Sequence, residues 1–309
     1  MMSNNLAGNE FDMIESLYEL DPDANYINDA FPSLNSCTQS NYTSVEEFNG
    51  IISSPKPILS FINYNIRSFN ANSDEYFCMF HNEDNYPDIM ILTETWFTEN
   101  TTVNIPGFEA FHVVRKGSGR GGGVSVFVKN ALVSSKIEHL CRSDETIEIC
   151  AVSIIFDACN FTILGIYRPH SGTVGNFSNQ LSVILEDPQV FNEKCILLGD
   201  FNINLFSSTV DVCDFMNNLR SYNLFPIITK PTHFPTDSSI LPTLIDHIWV
   251  NFPETFVSGI ITLETTDHCP TYVLFSSLTG VSHQPDEPEL IKITFRNKCK
   301  QNVESFRKK

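Results

Sequence analysis

Eight short apolar runs, rich in β-branched and aromatic side chains, recur along this chain and are separated by polar segments. Runs of this length and composition are typical of buried β-strands. They cover residues 58–66, 87–92, 124–128, 147–155, 161–167, 195–198, 244–250 and 271–275. Two helical patterns also occur, with apolar faces formed by Phe177, Leu181, Ile184 and Leu185 and by Val212, Phe215, Met216 and Leu219. Many strands with few helices predict an α/β fold of two sheets packed face to face and covered by helices.

Length and composition restrict the class of protein. The 309 residues suffice for one large domain or two small ones, with a substantial core. The sequence shows no basic segment followed by an apolar one at its start and no apolar run of 18 residues. We therefore expect no signal peptide, no transmembrane segment and no membrane partner, and an intracellular location, nuclear or cytoplasmic. The nine cysteines include no C-x-x-C pair, which favours reduced thiols.

Charge divides the chain into three predicted parts. Residues 1–57 hold nine acids and one base and are poor in apolar periodicity, so we expect a mostly disordered acidic extension. A short helix around residues 9–20 is the alternative, because Phe11, Ile14, Leu17 and Leu20 fall at a spacing of three. Residues 58–278 contain the strand runs and form the predicted folded domain. Residues 279–309 are a tail in which seven bases and one acid follow residue 291. The net charge of −18 argues against tight, salt-driven binding to a phosphate backbone, although acids at a metal site would account for part of it.

Polar side chains with a shared chemistry follow or precede four of the apolar runs. Asn65 ends the first run, Glu94 follows the second, Asp200 and Asn202 follow the sixth, and Asp267-His268 precedes the last. Carboxylate and amide oxygens are ligands for a hard divalent cation, while an Asp-x-Asn pair can position water and phosphate. A histidine can face the charge that develops on phosphate. Each motif alone is also compatible with an ordinary turn, but the ordered set predicts a metal-assisted phosphodiesterase.

Asp246 is the predicted partner of His268. In the run 244–250, Leu244, Asp246 and Ile248 point to one side, so a carboxylate interrupts an apolar face and needs a buried partner. A purely structural Asp–His pair is the alternative. His247 points to the other side and is interpreted as structural. The remaining histidines lack metal-ligand spacing and are assigned surface or core roles: His81, His112, His139, His170, His233 and His283.

The glycine-rich segment 117–123 is not interpreted as a phosphate loop. It lacks the Gly-Lys-Ser/Thr ending, and a strand follows it where a helix would be needed. Several adjacent glycines instead predict a turn that leads into the strand and uses positive φ angles.

The ordered series NYNIRS, LTETW, GGGVSVFVK, LGIYRP, LLGDFN, TLIDHI and TDHCP resembles the endonuclease/exonuclease/phosphatase superfamily. Within it, ETW, YRP and TLIDHI resemble the endonuclease domain of non-LTR retrotransposon polyproteins of the LINE type, jockey- or CR1-like. The resemblance implies a four-layer α/β/β/α sandwich of two packed mixed sheets flanked by helices, as in deoxyribonuclease I. It also implies cleavage of phosphodiesters with Mg²⁺ or Mn²⁺.

The resemblance also implies a role for each motif residue. Asn65 and Glu94 would bind metal, with Asp267 close by. Asp200 would activate or orient water, and His268, held by Asp246, would stabilise the pentacoordinate transition state. Contacts with substrate are implied for Tyr167, Arg168, Asn202 and Thr243.

These implications define the expected function. The first hypothesis is a DNA endonuclease that nicks one strand, leaves a 3′-hydroxyl and acts as a monomer. A reverse transcriptase domain supplied elsewhere is an expected partner, because in an intact element the nick would prime reverse transcription. No polymerase Tyr-x-Asp-Asp motif occurs in the sequence, so we expect a truncated product of such an element. A phosphoinositide or other phosphodiesterase of the same superfamily is one alternative. A non-catalytic interaction remnant is another.

Overall fold

The computed structural model describes residues 40–276 except for residues 117–120, 158, 192, 238 and 253. Two seven-stranded sheets account for the strands of this region. The first has the order β1-β13-β14-β2-β3-β5-β4, with β1 Asn41–Thr43, β2 Leu59–Asn65, β3 Ile89–Thr93, β4 Phe108–Val113, β5 Val124–Lys129, β13 Phe256–Ile261 and β14 Thr271–Phe275. The second has the order β11-β12-β10-β9-β8-β6, with β6 Val133–Lys136, β8 Glu148–Phe156, β9 Cys159–Tyr167, β10 Lys194–Asp200, β11 Phe225–Pro226 and β12 Asp246–Val250. The short strand β7, Arg142–Ser143, pairs with β8.

Five α-helices lie within the described residues: α1 Val45–Ser53, α2 Phe69–Cys78, α3 Val174–Leu185, α4 Pro188–Phe191 and α5 Val210–Ser221. Single 3₁₀ turns cover Glu83–Asn85 and Glu138–Leu140. None of the helices in this region is long and apolar enough to cross a bilayer. All eight predicted runs contain a strand, and both predicted helical patterns are helices.

The apolar residues form three clusters that correspond to the spaces between four layers. The central cluster joins the inner faces of the two sheets, for example Ile91 with Ile163 and Ile196. On the outer face of the second sheet, α3 and α5 bury side chains such as Phe177 and Phe215. On the outer face of the first sheet, α1 and α2 bury their apolar side chains in the third cluster. The predicted four-layer α/β/β/α sandwich is therefore confirmed.

The acidic segment before residue 58 contributes to this fold. β1 pairs in parallel with β13, and Ser44 caps α1 through a reciprocal contact with Glu47. Phe48 of α1 is completely buried, and its ring centroid lies 5.0 Å from that of Tyr272. The prediction of a disordered extension is wrong for residues 40–57, because this helix buries an apolar face. The prediction for residues 1–39 and for the tail 279–309 lies outside the described residues.

The strand directions bring four strand ends to one edge. β2 and β3 are parallel neighbours in the first sheet, and β9 and β10 are parallel neighbours in the second. Their carboxyl ends carry Asn65, Thr93, Tyr167 and Asp200. β12 runs antiparallel to β10, which places its first residue, Asp246, opposite Asp200. The carboxyl edge of parallel strands is where α/β folds build sites, and here both sheets contribute to it.

Candidate active site

Asn65 connects the two sheets at this edge. Its side chain is fully buried, and its Nδ2 donates hydrogen bonds to Glu94 Oε1 at 3.0 Å and to Asp200 Oδ2 at 2.9 Å. Glu94 follows β3 of the first sheet and Asp200 ends β10 of the second. The structure therefore brings Asn65, Glu94 and Asp200 together, although Glu94 and Asp200 lie 29 and 135 positions from Asn65 in the sequence.

The backbone turns sharply where the strands end. Glu94 has φ 51° and Asn202 has φ 49°, in the left-handed region that non-glycine residues seldom occupy. Glu94 is held there because its carbonyl accepts from Ser68 N at 2.8 Å, while Trp96 N donates to Gly122 O at 2.9 Å. Such conformations persist only when surrounding contacts impose them, and they concentrate at functional sites.

Asp200 lies at the centre of the cluster and is almost completely buried. Its Oδ1 accepts from Asn202 N at 3.0 Å, and its Oδ2 accepts from Asn202 Nδ2 at 3.3 Å. Burial, followed by the nearby Asp246 carboxylate, raises the pKa of Asp200 to about 7. Asp200 and Asn202, predicted from their spacing to act as a pair, are thus in direct contact within the cluster.

Gly199 allows two strands to pack closely immediately before the site. It lies inside β10, paired with Ile166 of β9. A Cβ at this position would lie 1.7 Å from Ile166 O. Glycine is required because the two strands approach closely immediately before Asp200.

His268 and Asp246 form the predicted pair. His268 Nδ1 lies 2.9 Å from Asp246 Oδ2, and Thr232 Oγ1 donates to the same oxygen at 2.8 Å. Ligand atoms of Asp200, Asp246 and His268 lie within 4.8 Å of one another. Burial opposes a charge on His268, but the Asp246 carboxylate outweighs it and raises the pKa of the imidazole to about 9. The side chain is therefore a cation at neutral pH.

Asp267 contacts two basic side chains. Arg67 Nη1 lies 2.8 Å from Asp267 Oδ1, and His233 Nε2 lies 3.2 Å from Oδ2. Burial would raise the pKa of Asp267, but the His233 hydrogen bond and the charges of His268 and Arg67 lower it to about 2. His233, assigned a surface or core role from the sequence, lies beside this cluster, with its ring centroid 4.7 Å from that of His268.

The predicted substrate-contact residues differ in their surroundings. Tyr167 OH donates to Glu94 Oε1 at 3.3 Å, which places the phenol in the site. The Arg168 guanidinium donates to Asn202 O at 3.0 Å and to Gly172 O, so the structure favours an anchoring role over contact with substrate. Thr243 Oγ1 lies 3.3 Å from His233 Nδ1, at the margin of the cluster.

His247 has the structural role predicted for it. Its Nε2 donates to Ile203 O at 2.9 Å, and its ring stacks on Phe201 with centroids 4.6 Å apart. Burial lowers the pKa of His247 to about 4, so it is neutral at physiological pH.

Sequence comparison assigns the chain to a family. Residues 62–268, about two thirds of the chain, match the Endonuclease/Exonuclease/phosphatase family. This span contains every residue of the cluster described above. The chain belongs to this family. The prediction of an enzyme that hydrolyses phosphodiester bonds is thereby confirmed. The comparison with curated proteins finds no match.

Solved structures of this family share the fold at low identity. The endonuclease domain of TRAS1, a telomere-specific non-LTR retrotransposon, is 13% identical with a TM-score of 0.55, over 72% of this chain and 100% of that one. The AP endonuclease LMAP from Leishmania major is 14% identical with a TM-score of 0.56, over 80% and 98%. The catalytic domain of Xenopus laevis APE2 is 16% identical with a TM-score of 0.53, over 71% and 92%. At these identities the likeness shows the fold alone.

The residues present fit a hard divalent cation. The carboxylates of Glu94 and Asp200 converge on the same Asn65 side chain, and the raised pKa of Asp200 reflects the cost of burying its charge there. Carboxylate and amide oxygens are the donors that Mg²⁺ and Mn²⁺ prefer. The carboxylates of Glu94 and Asp200 suit such an ion, whereas Asn65 faces them through Nδ2, a donor, and its Oδ1 accepts from Arg67 N at 3.2 Å. Asp267 is already engaged by Arg67 and His233.

Sequence reasoning missed two charged residues of this endonuclease/exonuclease/phosphatase site. Glu148 is fully buried at the start of β8, and Arg115 Nε lies 2.5 Å from its Oε1. The signal for Glu148 was an acid inside the apolar run 147–155, the same kind of interruption that identified Asp246. Arg115 precedes the glycine-rich segment and had no comparable signal.

Proposed function

We propose that this protein is a divalent-metal-dependent DNA endonuclease that nicks one strand and leaves a 3′-hydroxyl, and that it derives from a non-LTR retrotransposon. One observation carries the proposal. Asn65 joins Glu94 to Asp200 between the two sheets, directly beside the Asp246–His268 pair. The groups proposed to bind metal, activate water and stabilise charge are therefore adjacent.

Asp200 is the proposed base. Its raised pKa of about 7 lets the carboxylate accept a proton from water near neutral pH. The two hydrogen bonds from Asn202 fix its orientation, and Asn202 Nδ2 is held in turn by Arg168 O at 2.7 Å. Asn202 thus positions the base, and donation to a phosphate oxygen would require Nδ2 to exchange one of its two hydrogen bonds.

His268 and Tyr167 are the proposed groups that face the phosphate. The imidazolium of His268, held by Asp246, would stabilise the negative charge that develops on the phosphoryl oxygens. Burial, followed by the charges of Glu94 and Asp200, raises the pKa of the Tyr167 phenol, which therefore remains a hydrogen-bond donor. A divalent ion held by Glu94 would supply Lewis-acid stabilisation of the same phosphate.

The choice of DNA and of a retrotransposon origin rests on two observations. The motifs ETW, YRP and TLIDHI are those that resemble retrotransposon endonucleases. The TRAS1 endonuclease domain is among the similar structures, and this chain covers its whole length. The compartment, the monomeric state and the reverse transcriptase partner remain predictions.

The product identifies the reaction. A nicked plasmid should prime synthesis by a DNA polymerase without prior phosphatase treatment, because the proposed cleavage leaves a 3′-hydroxyl. Nicks that require removal of a 3′-phosphate before extension would refute the proposed polarity.

Inositol phosphates are tested in parallel, since the net charge of −18 disfavours a polyanionic DNA substrate. If the protein hydrolyses inositol phosphates and does not nick the plasmid, inositol phosphates and not DNA are the substrate.

A further inference from the structure

The glycine-rich segment has a packing role. Gly121, Gly122 and Gly123 have φ angles of 113°, 69° and 90°, which L side chains rarely adopt. A Cβ on Gly122 would lie 2.4 Å from the Arg115 guanidinium, and a Cβ on Gly123 would lie 2.7 Å from Thr95 Oγ1. The described part of the predicted turn thus lets Arg115 lie directly against the backbone.

Glu148 holds Arg115 from the other side. Its carboxylate is fully buried and accepts from Arg115 Nε at 2.5 Å and from Gly123 N at 2.6 Å. Arg115 and Gly123 belong to the connection between β4 and β5 of the first sheet, whereas Glu148 starts β8 of the second. The ion pair therefore connects the two sheets beside the site. A buried carboxylate with two such partners is firmly oriented.

This ion pair is next to Tyr167. Glu148 is the direct strand partner of Tyr167 between β8 and β9. The Arg115 guanidinium carbon lies 5.4 Å from the centroid of the Tyr167 ring, within the range of a cation–π contact. The Tyr167 hydroxyl donates to Glu94 and is within hydrogen-bonding reach of Arg115. One face of the phenol is thus covered by a cation that is itself fixed by Gly122 and Glu148.

We propose that Arg115, clamped between the glycine turn and Glu148, is a positioning residue that holds the Tyr167 phenol in the orientation needed for its contact with phosphate. This inference rests on the proposed function. Binding of phosphate by Arg115 itself is the competing explanation. The contacts favour positioning, because Arg115 Nε is held by Glu148 and the side chain is only 26% exposed. The buried Nη2, which has no hydrogen-bond partner among the described residues, is the atom that the competing explanation would use.

A double-mutant cycle separates the two explanations. Single-turnover nicking is measured for wild type, Arg115→Met, Tyr167→Phe and the double variant. We expect Arg115→Met to lower the rate constant at saturating DNA about tenfold or more with nearly unchanged KM, because small misplacements of a reacting group are costly. In the Tyr167→Phe background the same change should cost less than about twofold. A rise in KM alone, or an equal loss in both backgrounds, would overturn the positioning role.

Lys129→Met is the matched control. Lys129 lies at the far end of β5, pairs with Asp88 at 3.2 Å, and has a side-chain exposure of 21%. Removing it should lower the unfolding temperature and leave the rate constant unchanged. A loss of rate in Lys129→Met equal to that in Arg115→Met would mean that any broken ion pair suffices, and would refute the inference.

Glu148→Gln gives a second test if nicking by Tyr167→Phe falls below detection. It should reproduce the loss of rate of Arg115→Met, and combining the two should add little, because both act through one contact. A wild-type rate in folded Glu148→Gln would overturn the inference. No nicking by the folded wild type, in contrast, would overturn the proposed function itself and this inference with it.

Discussion

At Asp200, His268 and Tyr167, the surroundings set three different protonation states. Burial and Asp246 raise the pKa of Asp200 to about 7, so its carboxylate can exchange a proton near neutral pH. The Asp246 carboxylate overcomes burial and raises the pKa of His268 to about 9, which keeps it charged. Burial, with Glu94 and Asp200, raises the pKa of Tyr167 and keeps it neutral. The three side chains can thus act as base, cation and donor at one pH.

Replacing Asp246 tests how much His268 depends on its partner. Asp246→Asn keeps the shape but removes the charge that holds His268 protonated, so we expect nicking to fall roughly 10²-fold or more. The rate is measured at pH 7 with saturating DNA. Asp211→Asn, at the exposed start of α5, is the control and should be unaffected. Equal activity of both variants would show that the pair is purely structural.

Because His247 is buried, we expect the folded state to lose stability at acidic pH for a reason unrelated to catalysis. Its folded pKa of about 4 lies below the ordinary value of 6.5, so the unfolded chain binds a proton first as pH falls. The stability it contributes is complete above pH 6.5 and is lost between about pH 6.5 and 4. At pH 5 the expected loss is about 2 kcal/mol. Urea unfolding in EDTA measures the free energy of unfolding at pH 7 and at pH 5. The decrease between the two pH values should be smaller in His247→Gln than in the wild type. An equal decrease in both proteins would contradict this assignment.

At the residue level, sequence predicted the side chains that directly follow apolar runs. Asn65, Glu94, Asp200 and Asp246 interrupt or end such runs, and the structure brings them together. His233 was not predictable in this way, because it lies in an irregular segment and reaches the site through backbone pairing with Thr243 and His268. The catalytic and metal-binding roles of these residues remain predictions.

At the level of elements, the close approach of β9 and β10 determines how precisely Asp200 is placed. Gly199→Ala would put a Cβ 1.7 Å from Ile166 O, so the strands must separate. We expect a loss of about 3 kcal/mol or more in the free energy of unfolding. Gly50→Ala in α1 is the control, because no atom lies within 4 Å of its added Cβ. It should raise stability by about 0.5–1 kcal/mol, which chemical denaturation can measure.

An unchanged free energy of unfolding in Gly199→Ala would contradict the close packing of these strands. A neutral or negative effect of Gly50→Ala would instead indicate that α1 is not an ordered part of the domain. The two variants therefore test different elements with the same chemical change.

Elements differed in how well the sequence revealed them. Central strands such as β3 and β10 were found because both faces are buried and the apolar run is continuous. The edge strands β4 and β6 have mostly half-exposed residues and show no such run. Helix α1 had a usable signal, Ser44 three residues before Glu47, which was outweighed by the acidity of the segment around it.

At the scale of the whole molecule, the site depends on contacts between two sheets that each contribute a carboxylate. Glu94 and Asn65 come from the first sheet and Asp200 from the second, and a cation bound among them would join the sheets. Mg²⁺ should therefore stabilise the folded state, by about 2.7 kcal/mol at a hundredfold excess over Kd. Thermal unfolding with Mg²⁺ and with EDTA measures this. An equal shift in Glu94→Gln would place the ion elsewhere.

The whole fold was predicted with more success than the domain limits. Two packed sheets follow from the number of apolar runs and their separation by only two strong helical patterns. The boundary at residue 58 was too late, because β1 and α1 pack on the first sheet through contacts distant in sequence, such as Thr43 with Ile260 O. Local patterns do not reveal such long-range pairing.

The most direct test of metal-dependent nicking is the conversion of supercoiled plasmid to open circle. Wild type and Asp200→Ala are compared at low salt with Mg²⁺, with Mn²⁺ and with EDTA, and circular dichroism verifies that both are folded. We expect metal-dependent nicking by the wild type, abolished by EDTA and reduced at least about 10²-fold in Asp200→Ala. Nicking that persists in Asp200→Ala or in EDTA, or its absence from the folded wild type with either metal, would contradict the proposed function.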